Sequence, residues 1–116
     1  MRHTRVIINH YGGPDEIQVL EEECPEPKRG EVRVKVLAAG VSLPDVMMRE
    51  GIHPETPRLP FTPGWDLIGI VDRVGDAVSG IERGQIVAAL PIFGAYAEFI
   101  CLPKDELVSA TRVGPC

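Results

Sequence analysis

Glycine and proline interrupt this chain so regularly that few apolar runs are left long enough for anything but a short strand. Its 12 glycines and 11 prolines act as punctuation, and there is no internal repeat or low-complexity tract. Short apolar runs closed by such breakers read as β-strands. Val6 to Ile8 predicts a first strand, ended by Tyr11-Gly12-Gly13-Pro14, and Ile17 to Glu22 a second, ended by Pro25 and Pro27. In GEVRVKVLAAG, residues 30–40, Val32, Val34 and Val36 alternate with Arg33 and Lys35, the period of two of a half-buried strand. Further strands are expected over Asp66 to Val74, Gln85 to Leu90, Ala95 to Leu102 and Glu106 to Ser109, with Gly75-Asp76 supplying a positive-φ turn residue.

Residues 44–50 depart from this rhythm. They read as a short helix with Ser42 as N-cap, reaching the amide near Asp45, and Pro44 tolerated in the first turn. The fold class is mainly β: a compact, mostly antiparallel domain with one short helix. After the helix, IHPETPRLPFTPG carries Pro54, Pro57, Pro60 and Pro63. Proline lacks an amide donor, so residues 52–64 are expected to stay out of any sheet as a stiff surface loop, either a linker or a binding element.

Charge and cysteine usage exclude several classes. Lys and Arg number 12 against 17 Asp and Glu, a net charge of −5, so a phosphate-tracking nucleic-acid surface is not expected. Cys24, Cys101 and Cys116 lie far apart without a Cys-x-x-Cys pair, which argues against a disulfide framework and a zinc ribbon and suits a reducing cytoplasm. The N-terminal MRHTRVIINHYGG lacks the h-region of a signal peptide. No stretch approaches the roughly 20 apolar residues of a transmembrane helix, so no membrane partner is expected.

Metal ligation lacks a pattern, because His3, His10 and His53 have no helical i, i+4 partner and no nearby cysteine; each is expected to be a solvated surface residue. No Gly-x-Gly-x-x-Gly or Gly-Lys-Ser/Thr is present to cradle phosphate, and Ser42, Ser79 and Ser109 lack a nucleophile-elbow context. Met47 and Met48 read either as packing against the sheet or as an adaptable pocket wall. Trp65, between Gly64 and Asp66, reads as core or as the wall of a cleft, and Asp45 and Asp66 as local caps or acids.

The ordered set of motifs resembles the N-terminal, GroES-like catalytic domain of the medium-chain dehydrogenase/reductase superfamily. It comprises GEVRVKVLAAGVS at 30–42, Asp45 with Arg49 and Gly51, PFTPGWDLIGIVDRVGDAVSG at 60–80, RGQIVAAL at 83–90 and GAYAEFICLP at 94–103. Within the superfamily it looks most like the zinc-free quinone oxidoreductase branch, which reduces quinones or activated alkenes with NADPH. The resemblance implies a partly open β-barrel over residues 1–116, with a Rossmann cofactor domain, of order 150 residues by typical domain size, absent from this chain.

The same resemblance assigns roles. The metal-binding Cys and His of the zinc alcohol dehydrogenases fall on Ser42 and Trp65, and their relay hydroxyl and histidine on Pro44 and Met47, so neither catalytic zinc nor that relay is expected. Their cysteine-rich structural-zinc lobe has no room in Leu90 to Gly94. In the zinc-free branch, Asn commonly stands at Ser42 and Tyr at Met47. Ser42 is then the candidate donor to the growing oxyanion, Met47, Trp65 and Phe93 the candidate substrate pocket, and Ser42, Asp45 and Met47 the nicotinamide side. The isolated chain is expected to be inactive and to self-associate, as a homodimer or a larger assembly, through an uncovered domain face. The competing expectation is a non-enzymatic β-barrel module for binding or dimerisation.

Overall fold

The computed structural model describes residues 1–110. Strands β1 (Arg2–Ile8) and β2 (Ile17–Glu23) form an antiparallel pair. Strands β3 (Glu31–Ala38), β4 (Leu67–Val74), β5 (Ile86–Ala89), β6 (Phe99–Pro103) and β7 (Leu107–Ser109) form an antiparallel sheet in the order β6-β3-β4-β5-β7. One α-helix, α1 (Leu43–Glu50), follows β3, and single 3-10 turns occupy Pro14–Glu16 and Lys104–Glu106. This is the mainly β, antiparallel architecture that the glycine and proline spacing implies, and it is partly open as the resemblance implies. Cys116 and the rest of the C-terminal segment lie outside the described residues.

The period of two in β3 builds the main core. Val32 and Val34 are fully buried and pack with Leu67 and Val71 of β4, Val87 and Ala89 of β5, and Leu102 of β6. The opposite face of β3 is not simply solvated. Arg33 is buried, donating to Asp72 at 2.7 Å and lying over the Phe99 ring, so its charge is paired where its stem is covered. A second cluster joins Ile8, Met48 and Phe61, with Trp65 and Ile92 packed against it.

Four local expectations are corrected by the structure. His3 is not solvated: it is buried at the start of β1, with Nε2 3.3 Å from Glu22 on β2 and its ring edge-on to Phe99. His53 packs its ring edge-on to Trp65 at 5.5 Å, so it too is partly covered, while His10 is exposed. Segment 52–64 does enter backbone pairing, since Phe61, between prolines at 60 and 63, keeps its own amide and exchanges bonds with Ile8 at 2.8 and 3.1 Å. At the turn after β4 the positive φ falls on Ala77, at 63°, rather than on Gly75. Gly75 is needed for proximity instead: a Cβ there would meet the Glu31 carbonyl oxygen at 2.6 Å.

The predicted strand 95–102 is also divided. Only Phe99–Pro103 joins the large sheet, while Ala97 bridges to Arg5 of β1 and the Tyr96 carbonyl accepts from the Val6 amide at 2.8 Å. The segment crosses from one sheet to the other, so its residues cannot share one ladder.

Candidate functional site

The helix α1 begins where β3 ends, and its capping chemistry gathers the polar groups of the site. Ser42 is the N-cap and Asp45 the third helical residue, a capping-box spacing. Asp45 Oδ2 accepts from the Ser42 amide at 3.0 Å and from the Ser42 hydroxyl at 3.1 Å. Gly51 ends the helix in the left-handed region at φ 78°, with its amide 3.0 Å from the Met48 carbonyl oxygen.

Tyr96, from the crossing segment, closes the cluster. Its Oη lies 2.9 Å from both Asp45 Oδ2 and the Gly40 carbonyl oxygen, so its single proton has two acceptors. Burial, reinforced by the neighbouring Asp45 carboxylate, pushes the Tyr96 phenol well above its ordinary range. From the other side of Gly40, Asp66 Oδ1 accepts the Gly40 amide at 2.9 Å. A Cβ on Gly40 would lie 2.8 Å from that same oxygen, so a side chain there would displace the Asp66 carboxylate.

Asp45 is only 4% exposed, and its second oxygen, Oδ1, is buried with no hydrogen-bond partner. Asp45 thus holds both the amide and the hydroxyl of Ser42. The Ser42 hydroxyl proton is directed at a carboxylate, so donating to a substrate oxygen requires that bond to be exchanged.

Of the residues singled out in the sequence, Ser42 and Asp45 are in direct contact. Met48 is fully buried in the second core cluster, while Met47 is half-buried on the same helix. Trp65 is half-buried against that cluster, and its carbonyl accepts the Ile92 amide at 3.3 Å, tying it to the loop that carries the exposed Phe93. Ile92 is itself held at φ 76°, a strained value for a β-branched residue.

Two cavities adjoin the polar cluster. An apolar groove of about 760 Å³ runs along Ala38, Gly40, Asp66, Ile68, Leu90 and Val108, and a smaller pocket of about 260 Å³ lies between α1 and the β1-β2 pair. Asp45 and Tyr96 line the smaller one, whereas Ser42, Met47, Trp65 and Phe93 line neither. Of those four, Phe93 is exposed while Ser42, Met47 and Trp65 are half-buried. Sequence reasoning missed Tyr96, whose only signal was its place in the GAYAE motif, 51 residues from Asp45.

Other chemistries find little footing. Among the described residues, no group of three or more His, Cys, Asp and Glu side chains is arranged to hold a metal ion. Cys24 and Cys101 are free thiols, and burial raises both, Cys101 to about 11, which leaves them poor nucleophiles at neutral pH. No helix among these residues is long and apolar enough to cross a membrane.

Comparison with known proteins gives a consistent answer. The model of the alcohol dehydrogenase GroES-like domain matches residues 28–112. The human synaptic vesicle membrane protein VAT-1 homolog-like is 36% identical over 100 residues, covering 86% of this chain and 24% of that protein. Human quinone oxidoreductase is 36% identical over 110 residues, 93% of this chain and 32% of the enzyme. The crystal structure of Escherichia coli quinone oxidoreductase complexed with NADPH superposes with a TM-score of 0.86 at 30% identity, covering 93% of this chain and 33% of that one. The chain thus spans a quarter to a third of the length of these relatives.

Proposed function

The chain belongs to the alcohol dehydrogenase GroES-like domain family, and we propose that it is the substrate-side domain of a zinc-free, NADPH-dependent oxidoreductase acting on a quinone or an activated alkene or carbonyl. The observation that carries this reading is the Ser42–Asp45–Tyr96 cluster, at the start of α1 where the family's zinc enzymes place a metal ligand. A hydroxyl already engaged with a carboxylate is a poor zinc ligand, and the Trp65 indole has no lone pair to add. The quinone oxidoreductases among the relatives, one of them solved with NADPH, supply the reaction class.

On this reading the described residues meet the cofactor only at its nicotinamide end. No glycine-rich strand-to-helix turn is present among them for the pyrophosphate, so tight cofactor binding and turnover are assigned to a partner domain. When bound, NADPH supplies the hydride. Ser42 then exchanges its hydrogen bond to Asp45 for one donated to the substrate oxygen, while Asp45, held by Tyr96, keeps the Ser42 side chain in place. Met47, Trp65 and Phe93 contribute apolar surface against a flat ring, and closure of the partner domain over them completes the cleft and excludes water. The free thiols of Cys24 and Cys101 fit a cytoplasmic setting.

A chimera in which this chain replaces the corresponding domain of the Escherichia coli quinone oxidoreductase tests the reading. NADPH oxidation dependent on 1,4-benzoquinone is expected, unaffected by a metal chelator. Ser42→Ala should lower kcat roughly 100-fold if the hydroxyl stabilises the oxyanion, and an unchanged rate removes that role. The likeness to the VAT-1 homolog-like protein, which is named for a vesicle membrane rather than for a reaction, favours a second reading as a binding or dimerisation module. A folded chimera that binds NADPH but turns over no quinone, alkene or carbonyl would favour that one.

A further inference from the structure

We propose that the free edge of β2 is a docking site for an extended peptide, which adds as an antiparallel strand and seats one bulky apolar side chain at the 260 Å³ pocket between α1 and the β1-β2 pair. The direction of the backbone groups carries this. In β1 the Val6 amide bonds to the Tyr96 carbonyl, Ile8 exchanges both bonds with Phe61, and the Thr4 carbonyl accepts the Glu98 amide, so these three residues turn their backbone groups away from β2. Facing residues of an antiparallel pair point either toward each other or both away. Their partners in the unbroken register, Glu21, Val19 and Ile17, therefore point away from β1, and among the described residues no strand meets them. The Cys24 amide bonds to the Met1 carbonyl at 2.7 Å, so by the same alternation Glu23 points outward too. Four residues of a seven-residue strand thus offer amide and carbonyl groups to an added strand.

The side chains select the partner. Val6, Ile8 and Ile17 stand on one face of the hairpin and line the pocket, with Pro63 and Tyr96 on the far side of β1 and Val46 of α1 opposite. Ile17 belongs to the edge strand and is 48% exposed, so the pocket opens past it. A residue added opposite Ile17 projects from the same face and reaches that mouth. Apart from Asp45, Arg49 and Tyr96 the lining is apolar, and Val19 on the same face is 73% exposed. The peptide therefore carries a large apolar residue opposite Ile17 and a β-branched one opposite Val19. Toward the other end, Glu21 and Glu23 are paired with Arg2 and the N-terminal ammonium, yet their side chains stay 64% and 75% exposed. Solvated pairs of this kind are weak, so lysines placed opposite the two acids add attraction. Backbone bonds then supply affinity and alternate side chains selectivity, as in strand addition generally.

The test is a titration of the full 116-residue chain with acetyl-Lys-Thr-Lys-Thr-Val-Thr-Phe-Thr-Lys-amide, read in amide ¹H–¹⁵N spectra. The outward amides of Ile17, Val19, Glu21 and Glu23 are expected to shift more than the inward ones of Gln18, Leu20 and Glu22. Replacing the peptide's phenylalanine by alanine should weaken binding about tenfold through the lost apolar burial. N-methylation of its valine, which faces Val19, should abolish binding, whereas N-methylation of the threonine just before that valine should not, because that amide faces away. In the chain, Val19→Pro removes an outward amide and no bond to β1, so it should abolish binding with the rest of the spectrum unchanged, while Val19→Thr binds like the parent. Shifts spread evenly over inward and outward amides, or binding that survives methylation at the valine, would each overturn the proposal. So would the same alternating shifts on concentrating the chain without peptide, the edge then being filled by a second copy. No cofactor or turnover is read, so the result stands apart from the oxidoreductase assignment.

Discussion

Tyr96 carries a hydrogen bond to a buried carboxylate, and its loss is measurable without any substrate. Tyr96→Phe keeps the ring and removes the hydroxyl, leaving Asp45 Oδ2 with two donors instead of three. The variant should lose about 1–2 kcal/mol of unfolding free energy in urea titrations. The effect also has a pH signature. The folded-state pKa of this phenol lies above the ordinary value near 10. Protonated Tyr96 therefore stabilises the fold fully below about pH 10, and that contribution is lost as the pH rises further. Tyr96→Phe should show a shallower alkaline decline than the parent, and parallel curves would separate the hydroxyl from the network. At this scale the sequence was legible where the chemistry is local. Ser42 and Asp45 are three residues apart and read as a cap, but nothing near Tyr96, His3 or Arg33 announces the distant carboxylate that each one meets.

Most strands were legible because a glycine or proline closes them, and the helix because Ser42 and Pro44 mark its start. Their exact partners were not, since pairing is a tertiary choice. Residues 95–98 show this: the Glu98 amide bonds to Thr4 of β1, while the Glu98 carbonyl accepts from Val36 of β3. One extended segment thus serves two sheets, and its pattern alone could not divide it. Gly69 is the element-level test of how tightly β3 and β4 pack. A Cβ there would lie 2.5 Å from the Lys35 carbonyl oxygen and collide with the Val34 side chain, next to the register shift after Val36. Gly69→Ala should destabilise the domain by about 1–3 kcal/mol through forced backbone movement. Gly13, with φ −79° and open space around its Cβ position, is the control. Gly13→Ala should stay within about 0.5 kcal/mol of the parent, and a similar loss for both would show that generic glycine replacement, not strand proximity, is being measured.

The whole molecule leaves more than one apolar surface uncovered, and they make different predictions. Sequence reasoning placed the uncovered face around Ser42, Met47, Trp65 and Phe93, because the cleft residues are what the family resemblance labels. The paired strands add a row that no linear pattern marks: Ala38, Ile68, Ala88 and Val108 stand side by side across β3, β4, β5 and β7, with Ile68 50% and Val108 67% exposed. A sheet that is apolar on both faces needs a second layer, so this row should drive self-association of the isolated chain. The net charge of −5 opposes it, and added salt should therefore strengthen it. Light scattering across a concentration series should show a rising mean mass that Ile68→Lys and Val108→Lys suppress, whereas Phe93→Lys leaves it unchanged. If Phe93→Lys alone abolishes association, the contact runs through the cleft loop instead, and a mass that stays monomeric at all concentrations and salts would show that neither surface is sticky enough to pair.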